Sequence, residues 1–398
     1  MEDTPVDGNN NPGKTPEVSN ENGENKTETV DPNEEAKKNL LEIKEEPQVE
    51  IKTEEDLERI NVNSDKLEIN DLKSEKIFEK LKNLTFPKLQ ILSLNGIGIK
   101  SLEFTINPNF KSMIILELKN NEIETLDKIS EAPFKDLKVL DLSTNKIKSI
   151  NDISKAPFKE IEIIALSENE ISDIKPITAQ EFPNLKKLDL SNNKITSIES
   201  LKDNNSIKSL EYLYLNENQI QTINVLDSEV FKNLKELQLN GNKINKLDVL
   251  KDAKFKDLEE LLLYENEIES IDILCTADFK SLKNLNLGRN KIGDISKFSE
   301  ASFKELKYLD LFDNQITDIE VFNNNPFTSL EKLDLSYNSL NSIKALSKGD
   351  FGSLKTLRLE GNRNLDYSNK NTSVKEIFEL FKIEYTYNSI TSIWKYLS

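Results

Sequence analysis

Residues Phe134 to Pro157 read FKDLKVLDLSTNKIKSINDISKAP, and most of the chain is copies of this stretch. The next copy opens at Phe158 and sets Ile161, Ile164, Leu166, Asn169, Ile171 and Ile174 in the places of Leu137, Leu140, Leu142, Asn145, Ile147 and Ile150. The opening aromatic recurs at Phe86, Phe110, Phe134, Phe158, Phe182, Phe231, Phe255, Phe279, Phe303, Phe327 and Phe351. Ile207 takes its place in the sixth copy, which makes twelve copies. Each step is 24 residues except the 25 from Phe182 to Ile207, where the Asn-rich run Asp203-Asn204-Asn205-Ser206 holds the extra one. A fixed period of this length means stacked units, each touching its neighbours and none able to bury its apolar face alone.

Leu140-Asp141-Leu142 alternates with period two, the pattern of a short strand with its leucines pointing into the coil. Copies stacked side by side then form a parallel sheet. Asparagine follows each strand at 121, 145, 169, 193, 218, 242, 266, 290, 314, 338 and 362, and only the first copy departs, with Ile97. An amide that both donates and accepts suits a turn whose backbone groups would otherwise be unpaired inside the coil. Ile147 and Ile150 fill the arch, and Ile153, Ala156 and the next Phe cover the outer side as an extended stretch entering a short helical turn.

The core L-x-x-L-x-L-x-x-N, at Leu137-Leu140-Leu142-Asn145 and down the chain, resembles the leucine-rich repeat over residues 86–362. That resemblance implies an α/β solenoid: a horseshoe with a parallel β-sheet on its concave face, acting as a non-enzymatic protein-interaction scaffold. Among its relatives the chain looks most like the intracellular class that includes the regulatory subunit of protein phosphatase 1. A regulatory subunit of a phosphatase or another enzyme is therefore one alternative function, and a secreted or surface adhesin like the bacterial internalins is another.

The flanks read differently. Residues 1–53 are an acidic, polar tail expected to be disordered, because so few apolar side chains cannot offset the entropy of ordering. Residues 1–56 hold 17 acidic and 6 basic residues, so most of the formal charge of -18 sits there. Ile43-Lys44-Glu45-Glu46 and Ile51-Lys52-Thr53-Glu54 match the apolar-Lys-x-Glu pattern of SUMO acceptors, a pattern common in any Lys/Glu-rich tail. Residues 54–85 are an N-terminal cap: Ile60 and Val62, then Leu67 and Ile69, read as short strands about Asn63-Ser64-Asp65-Lys66. A helical face of Leu72, Ile77, Phe78, Leu81 and Leu84 follows. Residues 363–398 are the C-terminal cap, with a capping box at Ser373 to Glu376 and Trp394 as a capping aromatic.

Composition narrows the chemistry. The chain has no histidine and one cysteine, Cys275. General-base and nucleophile pairs built on His, zinc sites of Cys and His, and any intrachain disulfide are thereby excluded. No catalytic, cofactor or metal site is expected. The acidic balance disfavours nucleic acid and fits a protein partner with a basic surface. No run of 18 apolar residues occurs, so no conventional membrane-spanning helix is expected. The N-terminus lacks the features of a secretory signal. The expectation is a cytoplasmic or nuclear monomer.

Function then falls on the residues that vary between copies on the concave strands. Ile91, Ile115, Val139 and Ile163 form an apolar ladder, read either as cross-strand packing or as a binding strip. Tyr212, Tyr214, Leu262, Tyr264, Tyr308 and Phe312 form a second group among Glu236, Glu260 and Asp310. Outward aromatics beside carboxylates are the expected anchor for a basic partner, since aromatics dominate interface hot spots and charge steers encounter.

Overall fold

The computed structural model describes residues 51–202 and 205–365, all within one unit, Glu46–Ser398. Thirteen strands form a single sheet in chain order, from β1 (Lys66–Asn70) and β2 (Ile91–Asn95) to β13 (Thr356–Arg358), and every pairing is parallel. The fold is a leucine-rich-repeat solenoid. Twelve of the strands are the twelve repeats. The thirteenth comes from the N-terminal cap, where β1 pairs with β2 over five residues, Lys66 to Asn70 against Ile91 to Asn95. The expected first cap strand does not exist: Ile60 and Val62 follow a short 3-10 turn at Glu55–Arg59 and join no strand. Their place beside β1 is taken by Ile51, which bridges to Ile69 in parallel and is buried. Ile51 falls within the segment 1–53 expected as a disordered tail, and its burial takes the second Ile-Lys-x-Glu match out of a free segment. The helix α1 (Lys76–Asn83) buries Ile77 and Leu81, as the periodicity predicts. Residues 1–50 of the tail and the C-terminal cap beyond residue 365, Trp394 included, lie outside the described residues.

Each coil is built alike. A three-residue strand such as Val139–Asp141 turns its central leucine inward, and a short helical turn such as Asn151–Lys155 closes the outer leg. The opening phenylalanines stack along the array, with Phe158–Phe182 centroids 6.3 Å apart and Phe255–Phe279 centroids 5.8 Å apart. Such stacked rings add to the burial that holds successive coils together. Cys275 belongs to this interior; burial pushes its thiol up to about 12, so it is an inert packing group.

The asparagines account for the turn. Asn169 accepts from the Ile147 N–H of the preceding coil at 3.0 Å and donates to the carbonyls of Leu142, Leu166 and Ser167, each at 3.1 Å. One amide thus satisfies backbone groups of two coils. The same set recurs at Asn193, Asn242 and Asn290. Just before each asparagine the backbone is left-handed, with φ of 55° at Thr144, 55° at Glu168 and 51° at Asn192. L-residues disfavour that region by a kcal/mol or so. Cross-coil bonds hold it, for example Glu168 N–H to Ser191 O at 2.9 Å.

Candidate functional site

The strand register sorts the varying side chains into rows. Tyr212, Glu236, Glu260, Asn284, Tyr308 and Lys332 face one another in succession, each the partner of the next. Two residues along, Tyr214, Gln238, Leu262, Asn286, Asp310 and Asp334 form a second row. The site residues expected on the strands therefore do come together on one face. Tyr264 and Phe312 lie two residues further on, in the turns that leave the strands.

The first row is acidic at its centre. Glu236 and Glu260 are register partners, so two carboxylates stand side by side. Tyr214 Oη donates to Glu236 Oε2 at 2.9 Å, Gln238 Nε2 donates to its other oxygen, and Asn284 Nδ2 donates to Glu260 Oε2 at 2.7 Å. Burial, and then repulsion from Glu236, pushes Glu260 up to about 7. Asp310 rises to about 6, first through burial and then through Asp334 beside it, although the Phe312 N–H donates to it at 2.9 Å. Asp334 has Arg358 at 3.3 Å, but among the described residues no ion pair reaches Glu236, Glu260 or Asp310. The lysines are engaged elsewhere. Lys186 meets Glu162 at 2.8 Å, Lys235 meets Glu211 at 2.6 Å and Lys283 meets Glu259 at 2.8 Å, all on the flank leading into the strands. Each such exposed pair contributes little to stability, yet together they neutralise the flank and leave Glu236, Glu260 and Asp310 without an ion pair among the described residues.

Tyr214 corrects the expectation of a solvent-facing ring. It is buried, its hydroxyl is committed to Glu236, and Lys187 Nζ lies 4.4 Å from its ring centroid. Tyr212, Leu262, Tyr264 and Phe312 are half-buried, and Tyr308 is exposed. In the turns, the Arg289 guanidinium lies 5.5 Å from the Tyr264 ring and 5.9 Å from Phe312, with Glu265 at 3.2 Å and Asp313 at 3.8 Å. Phe312 meets Tyr337 at 5.3 Å. The strand pattern places Lys187 on the concave face but not over Tyr214, and it does not mark Arg289 or Tyr337 as members of this surface. Their spacing of 23 to 27 residues from their partners, close to one repeat, is the only signal in the sequence.

The apolar ladder has a different character. Ile91, Ile115, Val139 and Ile163 are register partners and all are buried, while Asp141 next to them pairs with Lys119 at 3.3 Å. Among the described residues no group of three or more His, Cys, Asp and Glu side chains is arranged to hold a metal ion, and no helix is long and apolar enough to cross a membrane.

Comparison with known proteins agrees with this geometry. The family profile "Leucine rich repeat" matches residues 159–220, and "Leucine Rich repeats (2 copies)" matches 208–252, 256–300, 280–324 and 304–348. A leucine-rich-repeat protein of Leptospira interrogans is similar at 27% identity and a TM-score of 0.65, over 80% of this chain and 76% of that one. An internalin of Listeria monocytogenes is similar at 22% identity and a TM-score of 0.53, over 73% of this chain and 87% of that one. The functional domain of another Listeria monocytogenes internalin, InlJ, is similar at 21% identity and a TM-score of 0.54, over 76% and 64%. The likenesses to the two internalins carry the fold alone. No curated protein sequence gives a significant match. The chain carries leucine-rich repeats, and arrays of these repeats are in general protein-interaction modules.

Proposed function

We propose that this array of leucine-rich repeats is a non-enzymatic scaffold that docks a protein partner with a basic surface on the strand face of its C-terminal half. The observation that carries the reading is the pairing of uncompensated carboxylates with accessible aromatics on one rigid sheet. Glu236, Glu260 and Asp310 lie in rows that also hold Tyr212, Leu262 and Tyr308, with Tyr264 and Phe312 at the turns. A basic side chain arriving there gains the charge compensation that the lysines of the chain give to its flank. The same reading makes the protein a cytoplasmic monomer; its single cysteine, which leaves no intrachain disulfide, suits a reducing compartment.

The test is affinity capture from the source cell with wild type and with Tyr264→Ala combined with Tyr308→Ala. The double variant is expected to lose partner capture while its melting temperature moves by only a few degrees. Capture that is unchanged in the double variant would contradict the proposal. A catalytic subunit among the captured proteins would make the scaffold a regulatory one.

A further inference from the structure

Two aromatic side chains in the turns pack closely against glycines of the following coil. A Cβ added to Gly288 would stand 2.9 Å from Tyr264 Cδ2, and one added to Gly361 would stand 2.8 Å from Tyr337 Cγ. Absence of a side chain at each glycine lets the ring of one coil rest on the backbone of the next. Both rings therefore form platforms on the scaffold rather than free side chains.

One platform is occupied. Arg289, which follows Gly288, places its guanidinium 5.5 Å from the Tyr264 centroid, and Glu265 and Asp313 hold it at 3.2 and 3.8 Å. A planar guanidinium stacks on an aromatic face while its N–H fork meets carboxylates, a combination that lysine does not match. At Tyr337 the residue that follows the glycine is Asn362, the ladder asparagine itself and one position further along the repeat than Arg289. That side chain is committed to the ladder, donating to Leu335 O at 2.9 Å and Leu359 O at 2.8 Å and accepting from Leu340 N at 3.1 Å. Among the described residues no cation lies over the Tyr337 ring. The ring is 54% exposed, more than any other large apolar or aromatic side chain described. Beside it opens a hollow of about 300 Å³ whose lining includes Asp313, Tyr337, Gly361 and Arg363.

We propose that Tyr337 and Asp313 receive an arginine side chain of the protein partner, which supplies there what Arg289 supplies at Tyr264. This deepens the docking proposal and rests on it for the choice of a protein as the source of the arginine. Asp313 is shared between the two positions, at 3.8 Å from Arg289 on one side and lining the hollow on the other. Arg363 opposes a guest cation, so its removal is expected to favour binding.

The experiment uses the full chain and fluorescently labelled synthetic peptides, Gly-Arg repeats against Gly-Lys repeats of equal length, with Kd read by anisotropy. The arginine peptide is expected to bind more tightly than the lysine peptide. Tyr337→Leu is expected to weaken it about two- to fivefold, the range for an exposed cation–π contact, and Tyr337→Phe to leave it unchanged. Asp313→Asn is expected to weaken it and Arg363→Gln to tighten it, with unaltered melting temperatures throughout. No measurable binding of the arginine peptide, or equal Kd for wild type and Tyr337→Leu, would overturn the inference. Should cellular capture still depend on Tyr264 and Tyr308 in that case, the docking proposal stands and only the arginine site falls.

Discussion

The two halves of the strand face share one backbone and differ in what they carry. In the N-terminal half Ile91, Ile115, Val139 and Ile163 stand in register, at 1–5% exposure, and like β-branched neighbours stabilise a sheet. In the C-terminal half the same row holds Glu236 against Glu260, and the next row sets Asp310 against Asp334. Like charges directly opposite one another work against folding, and Tyr308 remains 37% exposed. The first half also sets Glu117 against Asp141, which Lys119 pairs at 3.3 Å, so what distinguishes it is its buried Ile/Val row, which serves the fold, in place of the Glu236–Glu260 pair. The second keeps residues that the fold would be better without, which is the physical argument for placing function there.

The largest expected effect separates the halves by charge insertion. Ile115→Asp buries an unpaired carboxylate and should destabilise the array by at least about 3 kcal/mol in urea unfolding. Tyr308→Asp, at an exposed position of the opposite half, should cost no more than about 0.5 kcal/mol. Equal losses would erase the distinction between the two surfaces.

The next effect follows from the acidic pair. Because Glu260 is raised from 4.5 to about 7, the folded chain binds more protons than the unfolded chain between those values. Its contribution to stability is therefore favourable below about pH 4.5, declines as pH rises to about 7, and is unfavourable above. Glu260→Gln should remove this dependence and raise stability at pH 8 by on the order of 1–3 kcal/mol, with little change at pH 4. Asp310→Asn should act in the same direction over the lower window that ends near 6. A flat pH profile in the wild type, measured by urea midpoints, would contradict the buried pair. Protonation in this range also discharges the face, so capture of a basic partner should weaken between pH 8 and pH 6.

The smallest effect sharpens the boundary within the C-terminal half. Tyr214→Phe removes the hydroxyl that donates to Glu236, and should cost about 1 kcal/mol of stability. Tyr308→Phe should cost nothing measurable, since among the described residues the Tyr308 hydroxyl has no hydrogen bond. Matching losses in thermal unfolding would show that Tyr308 is structural too.

Much of the architecture was legible because it repeats. The period located the strands, the inward leucines and the asparagines, and chemistry alone assigned Asn169 and its counterparts to the turn. What the repeat does not encode was harder to read. β1 was seen as one arm of a local pair about Asn63-Ser64-Asp65-Lys66, because alternation marks a strand but not its partner. The left-handed turn position is filled by Thr144, Glu168, Arg289, Asp313 and Tyr337 alike, so no residue type announces it. Side chains there reach across coils, and Lys187 over Tyr214 or Arg289 beside Tyr264 emerges only once the register is known. For the same reason Tyr214 read as exposed: nothing in its own copy shows that Glu236 and Lys187 enclose it.

The most direct test of the account is hydrogen–deuterium exchange on the full chain, alone and with the captured partner. The account predicts new protection in the strands Tyr212–Tyr214, Glu236–Gln238, Glu260–Leu262 and Tyr308–Asp310 and in the turns that follow them. Protection confined to the strands carrying Ile91, Ile115, Val139 and Ile163, or to the outer helical turns, would contradict it.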